Sequence, residues 1–64
     1  MYKTNFIISK GSSIREALKK IDKNQKGIIL VTEADKLVGV ATDGDIRRFI
    51  LENSINNKID KVIN

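Results

Sequence analysis

Residues 27–45 read GIILVTEADKLVGVATDGD, and the way they fold decides the rest of the chain. Gly27-Ile28-Ile29-Leu30-Val31-Thr32 is a continuous run rich in β-branched side chains. A run this short and this apolar predicts a strand covered on both faces. Glu33-Ala34-Asp35-Lys36 is a polar break, after which Leu37-Val38-Gly39-Val40-Ala41 is apolar again. Two such runs joined by about four polar residues predict a β-hairpin. Gly39 is the odd member of the second run. A glycine inside a strand marks either a bulge or a close approach by another backbone or a ligand, and both remain open at this point.

Downstream, a second helix is expected to begin after Thr42. Ile46, Phe49 and Ile50 would line its inner face, and Glu52-Asn53-Ser54 would mark its end. Ile55, Ile59, Val62 and Ile63 then recur at helical spacing in an apolar tail. That stripe would either cover a seam with another copy or pack on its own core. Upstream of the hairpin, Ser13 and Glu16 fit a capping box. Ile14, Ala17, Leu18 and Ile21 form one apolar stripe of a helix, and Asn24 and Gly27 stand where it should stop. Before it, Asn5-Phe6-Ile7-Ile8 predicts a short strand closed by the turn signal Lys10-Gly11-Ser12. The element order is therefore β-α-β-β-α plus a tail, an α+β arrangement.

Composition narrows the function classes. A chain of 64 residues is one small domain, and domains of this size bury only about 60% of their unfolded surface. There is no Cys and no His. Disulfides, thiolate metal sites and Ser-His or Cys-His catalysis are thereby excluded. Association is the remaining way to stabilise a small core, so a homodimer, or a piece of a larger chain, is expected. The net charge is +4 and the pI about 9.6. Arg15, Lys19, Lys20, Lys23 and Lys26 cluster, which suits either a nucleic-acid footprint or a solvated helix face. Tyr2, Phe6 and Phe49 are scattered and offer no stacking platform, so nucleic acid is not the expected partner. No apolar run approaches the ~18 residues of a membrane span, and no secretory leader is visible. The expected setting is soluble and cytoplasmic, away from membranes.

The densest polar chemistry lies in Thr42-Asp43-Gly44-Asp45-Ile46-Arg47-Arg48. Two carboxylates alone make a poor metal site, and the further oxygen ligands of a calcium loop are missing. No catalytic residues and no metal are assigned. Thr42 and Asp45 have capping-box spacing, and both acids suit a helix N-terminus. Nucleotide binding uses more of the features. Thr42 can donate its hydroxyl to phosphate, Asp45 can accept from ribose hydroxyls, and Arg47 or Arg48 can neutralise phosphate charge. Gly39 would admit the base or sugar, and Ile28–Val31 would form a wall for a flat base.

The run Gly39-Val40-Ala41-Thr42-Asp43-Gly44-Asp45 resembles the ligand signature of the cystathionine-β-synthase-type (CBS) domain: Gly, apolar, any, Thr or Ser, any, any, Asp. With Ser13-Ile14-Arg15-Glu16-Ala17-Leu18 before it and Asp60-Lys61-Val62-Ile63-Asn64 after it, the resemblance covers about Phe6 to Ile63. It implies a small mixed sheet packed against two helices. It also implies a non-catalytic regulatory module, in which paired repeats form a Bateman module and hold a nucleotide between them. On this resemblance Thr42 meets phosphate or ribose and Asp45 holds the ribose. The backbone of Gly27, Ile28 and Ile29 faces the base, Ile8 adds an apolar contact, and Gly39, Asp43 and Arg48 complete the expected site. The proline that many members carry in the second strand is absent here. The extended string Thr42–Arg48 is similar to CBS segments of sugar-nucleotide transferases and sugar-phosphate isomerases. The start at Met1 suits the transferase arrangement. Residues 1–64 would then be one repeat, with 55–64 as tail or linker toward a second, serving the catalytic domain of a parent nucleotidyltransferase. The expected ligand is AMP, ADP, ATP or a CMP-type nucleotide, and a ligand-free dimerisation module is the alternative.

Overall fold

The computed structural model describes residues 5–63. Three strands and two helices follow in the expected order: β1 (Ile7–Ser9), α1 (Ile14–Asn24), β2 (Ile28–Glu33), β3 (Lys36–Thr42) and α2 (Asp43–Ile50). The sheet order is β1-β2-β3, with β1 parallel and β3 antiparallel to β2. The sheet is thus mixed, as expected. β1 begins two residues later than its apolar run, although the Phe6 carbonyl still accepts from the Leu30 N–H at 2.7 Å.

Partners across the sheet share a face, because side chains alternate along each strand. Ile8, Val31 and Gly39 form one row, and Ile29 and Ala41 form the next. All five are buried. They meet Ile14, Ala17 and Ile21 of α1, Ile46 of α2 and Ile59 of the tail in a single apolar core. The opposite face carries Ile7, Ile28, Leu30 and Val40, and Ile7 remains 40% exposed. The strand β2 is therefore apolar on both sides for two different reasons: one face is core, the other is the open face of the sheet.

The hairpin is tighter than its composition suggests. Glu33 pairs with Lys36, which leaves Ala34 and Asp35 as a two-residue loop. Both have positive φ, 51° and 66°, as the favoured tight turns require. Further along, Val31 faces Gly39 while Thr32 faces Leu37, so Val38 is an extra residue in β3. The bulge predicted as one reading of Gly39 is present, and it lies beside that glycine.

The first three N–H groups of helix α1, which have no acceptor within the helix, are all satisfied. Ser13 Oγ accepts from Glu16 N at 3.1 Å, and the Ser13 carbonyl accepts from Ala17 N. The other two, Ile14 N and Arg15 N, donate to the carbonyls of Asn57 and Ile55 in the tail. The helix stops at Asn24, followed by Gln25 in the left-handed conformation. The Asn24 amide then ties three segments together. It donates to the Asn5 and Ile28 carbonyls at 2.7 and 3.1 Å and accepts from Lys26 N at 2.7 Å.

The tail is not the α-helix that its apolar spacing predicts. It forms a single 3₁₀ turn, Ile59–Lys61. Its backbone is drawn away from helical bonding by partners elsewhere: the Ile55 and Asn57 carbonyls accept from Arg15 N and Ile14 N, and Ile59 N donates to the Ser12 carbonyl. The Asp60 side chain adds a further tie, its Oδ1 accepting from Gly11 N at 2.8 Å. Ile59 is fully buried, with Ile55, Val62 and Ile63 packed against the same core. Of the two readings of the stripe, packing on its own core is the one observed.

Candidate functional site

Three elements meet where β3 runs into α2. Thr42 is the last residue of β3 and the N-cap of α2, with extended backbone (φ −106°, ψ 159°). Its Oγ1 accepts from Asp45 N at 3.1 Å. The hydroxyl proton of Thr42 remains a donor for another group. Ile28, opposite Thr42 in the sheet, starts β2. Just before it Gly27 adopts φ 71°, and its carbonyl accepts from Asp43 N at 2.8 Å. This bond replaces one that α2 cannot make within itself and pins the entry of β2 to the start of the helix.

Both acids of the first turn are engaged by arginines one turn on. Asp43 Oδ2 accepts from Arg47 Nε at 2.8 Å, and Asp45 Oδ1 accepts from Arg48 Nη2 at 2.5 Å. The two acid side chains are about one-third exposed, whereas both arginine side chains are largely in solvent. The hydrogen bond and charge of Asp43 raise the pKa of Arg47 above its ordinary value. Four charges thus stand in two neutral pairs at the helix start. Carboxylates there also match the helix dipole.

Of the residues singled out from the sequence, Gly27, Ile28, Thr42, Asp43, Asp45 and Arg48 come together. Three others lie elsewhere on the sheet. Ile8 and Ile29 are 5% and 0% exposed, so their side chains belong to the core. Ile29 can offer a ligand only its backbone. Gly39 shares a row with Ile8, about 10 Å along the sheet from the Ile28–Thr42 pair at the ordinary rise per strand residue.

A cleft of about 570 Å³ opens beside this cluster, between α1 and α2. Leu18, Ile21 and Ile50 line it with apolar surface, and Asp22, Gln25, Gly27, Asp43 and Arg47 supply its polar lining. Gly27 and Asp43 belong to both the cleft and the Thr42 cluster. Asp22 and Gln25 were not singled out from the sequence. The signal for them is weak: polar positions flanking the apolar stripe of α1, next to Leu18 and Ile21. Among the described residues no group of three or more carboxylates gathers as metal ligands would, and no helix is long and apolar enough to cross a membrane.

Comparison with known proteins gives a consistent picture. The family model of the CBS domain matches residues 1–52. An uncharacterized protein of Helicobacter pylori is 43% identical over 47 residues, which is 72% of this chain and 14% of that protein. The crystal structure of a CBS-domain containing protein from Agrobacterium tumefaciens superposes with a TM-score of 0.83 at 21% identity, over 91% of this chain and 46% of that one. A second crystal structure of a CBS domain superposes with a TM-score of 0.76 at 25% identity, over 89% of this chain and 47% of that one. The chain therefore spans less than half of either solved structure and a small part of the Helicobacter relative.

Proposed function

The chain belongs to the CBS domain family, a family of regulatory, non-catalytic modules, and we propose that it binds a nucleotide of the adenine or cytidine type at the start of α2, in a cleft completed by a paired repeat. One observation carries this reading. The Ile28–Thr42 pairing and the Asp43 N to Gly27 O bond set the backbone entering β2 beside the Thr42 hydroxyl and the Asp45 carboxylate. In the proposed complex the Thr42 hydroxyl donates to phosphate, and Asp45 accepts from the ribose hydroxyls. The backbone of Gly27–Ile29 faces the base, and the half-buried Ile28 side chain lies against it. Asp43, held by Arg47, contributes through the wall it forms with Gly27. AMP, ADP, ATP and CMP are the ligands this arrangement favours.

Exposed apolar surface supports the proposed pairing. The open sheet face and its hairpin end keep Ile7, Leu37 and Val38 at 40%, 60% and 40% exposure. Two copies of the chain, or two repeats of a longer protein, would cover this surface. The setting we propose is a sugar-nucleotidyltransferase whose catalytic domain responds to the bound nucleotide. The Thr42–Arg48 string supports it, and the much longer Helicobacter relative accords with a module carried on a larger protein.

Thermal unfolding with AMP, ADP, ATP, CMP and GMP at millimolar concentration tests the proposal, with light scattering in parallel. A ligand present at tenfold its Kd stabilises by about 1.4 kcal/mol, which raises Tm by several degrees in a domain of this size. Asp45→Asn should remove most of that shift. No shift with any nucleotide, in a protein that scatters as a dimer, would instead establish the ligand-free dimerisation role that the exposed apolar face also suits.

A further inference from the structure

The positive charge of the chain is unevenly placed. Residues 15–26 carry five cations against two acids, a net +3 of the chain's +4. Both arginines of α2 are engaged by carboxylates of their own helix. On α1, by contrast, the Lys19 and Lys23 amines have no hydrogen bond or ion pair among the described residues. Arg15, Lys19 and Lys23 are exposed. They stand four residues apart, so they share one face and rise about 6 Å from each to the next. The fold adds a cation that the sequence does not place there. A bridge of Ser13 with Lys58 lays the tail beside the first turn of α1, and Arg15 Nη2 donates to Asn56 Oδ1 at 3.5 Å. Lys58 is exposed, and its amine also lacks a partner among the described residues. It extends the row at the N-terminal end of the helix. Of the two acids, Asp22 lines the α1–α2 cleft, and Glu16 sits in the first turn, where it suits the helix dipole.

We propose that Lys58, Arg15, Lys19 and Lys23 form a sequence-independent contact for the phosphodiester backbone of double-stranded nucleic acid. A duplex carries one negative charge per about 1.7 Å of its axis, so each cation of the row finds a phosphate within reach of its flexible stem. The missing aromatic platform argues against stacked single strands, but a duplex held by its backbone needs none. An acidic protein fits less well, because protein interfaces are depleted of lysine whereas nucleic-acid interfaces are strongly positive. A membrane-surface helix would turn an apolar face outward, and the apolar face of α1 is buried in the core. The row is independent of the nucleotide site at the start of α2.

Fluorescence anisotropy of labelled duplex DNA, duplex RNA and single-stranded DNA, titrated with the protein at several salt concentrations, tests this. Four phosphate contacts predict a slope of log affinity against log salt of about −3.6. Affinity should thus fall about a hundredfold between about 50 and 200 mM salt. Lys19→Gln, Lys23→Gln and Lys58→Gln should each weaken binding several-fold at low salt and flatten the slope by about one. Lys36→Gln removes the same charge from the hairpin, outside the row, and should leave both nearly unchanged. Salt-dependent binding of either duplex supports the proposal, and the tighter of the two names its source. It is overturned if neither duplex binds at low salt, or if Lys36→Gln weakens binding as much as Lys19→Gln, which would report net charge alone. Equal binding of single strands, of poly-glutamate or of phosphatidylserine vesicles would overturn it likewise, by assigning the row to another acidic partner.

Discussion

Thr42 does two jobs whose energies can be separated. As N-cap, its Oγ1 satisfies the Asp45 N–H. As a proposed ligand contact, its hydroxyl proton points to phosphate. Loss of a Thr cap typically costs about 1 kcal/mol. Thr42→Ala is thus expected to lower unfolding free energy by about that amount in urea titration, whereas Thr42→Ser, which keeps the oxygen, should stay within about 0.5 kcal/mol of wild type. The cap was legible from the spacing of Thr42 and Asp45 alone. The fate of the arginines was legible only in part. Asp43 to Arg47 and Asp45 to Arg48 are four and three residues apart, so spacing allowed both pairs. It did not say that a guanidinium would choose its helix neighbour over open solvent. The sequence also could not tell that Ile8 and Ile29 point into the core. A strand apolar on both faces carries no alternation to assign its sides.

The order of elements was readable because each helix is punctuated and each strand is a distinct apolar run. Loop length and strand ends were not. The hairpin was expected to turn through four polar residues, yet Glu33 and Lys36 pair and leave only Ala34 and Asp35. Asp35 tolerates positive φ, but Ala34 does not, and the Gly that usually accompanies Asp in such a turn is absent, so the local sequence signal is weak. The ladder on either side must hold it. Ala34 at φ 51° bears the steric cost of a left-handed Cβ, about 1 kcal/mol or more for an ordinary residue. Replacing the loop by Ala34→Asn with Asp35→Gly should relieve that cost. A gain of about 1 kcal/mol in unfolding free energy is expected, with a rise of several degrees in Tm. A loss of stability would mean that Asp35 makes a contribution beyond its backbone angle.

At the scale of the whole molecule, the tail decides whether residues 5–54 could stand alone. The conventional β-α-β-β-α unit ends with α2, and the family match ends at residue 52. The fold continues past that point. Ile55 and Asn57 supply the carbonyls that receive Arg15 N and Ile14 N, Ile59 N returns to the Ser12 carbonyl, and the Ile59 side chain is fully buried in the common core. Removing the segment would strip the start of α1 of two backbone partners and open the core at once. A single core of this size rarely supplies more than about 3–5 kcal/mol. Truncating one fully buried isoleucine costs about 2–5 kcal/mol. Ile59→Ala alone is therefore expected to consume most of the stability, and deletion of residues 55–64 should leave the chain unfolded at 25 °C by circular dichroism. Both comparisons should be made at one protein concentration, because association adds to apparent stability by mass action. Val62→Ala, at a half-buried neighbouring position, should cost clearly less. If Ile59→Ala and Val62→Ala were equally mild, the tail would be dispensable packing, and the core would have to close without it.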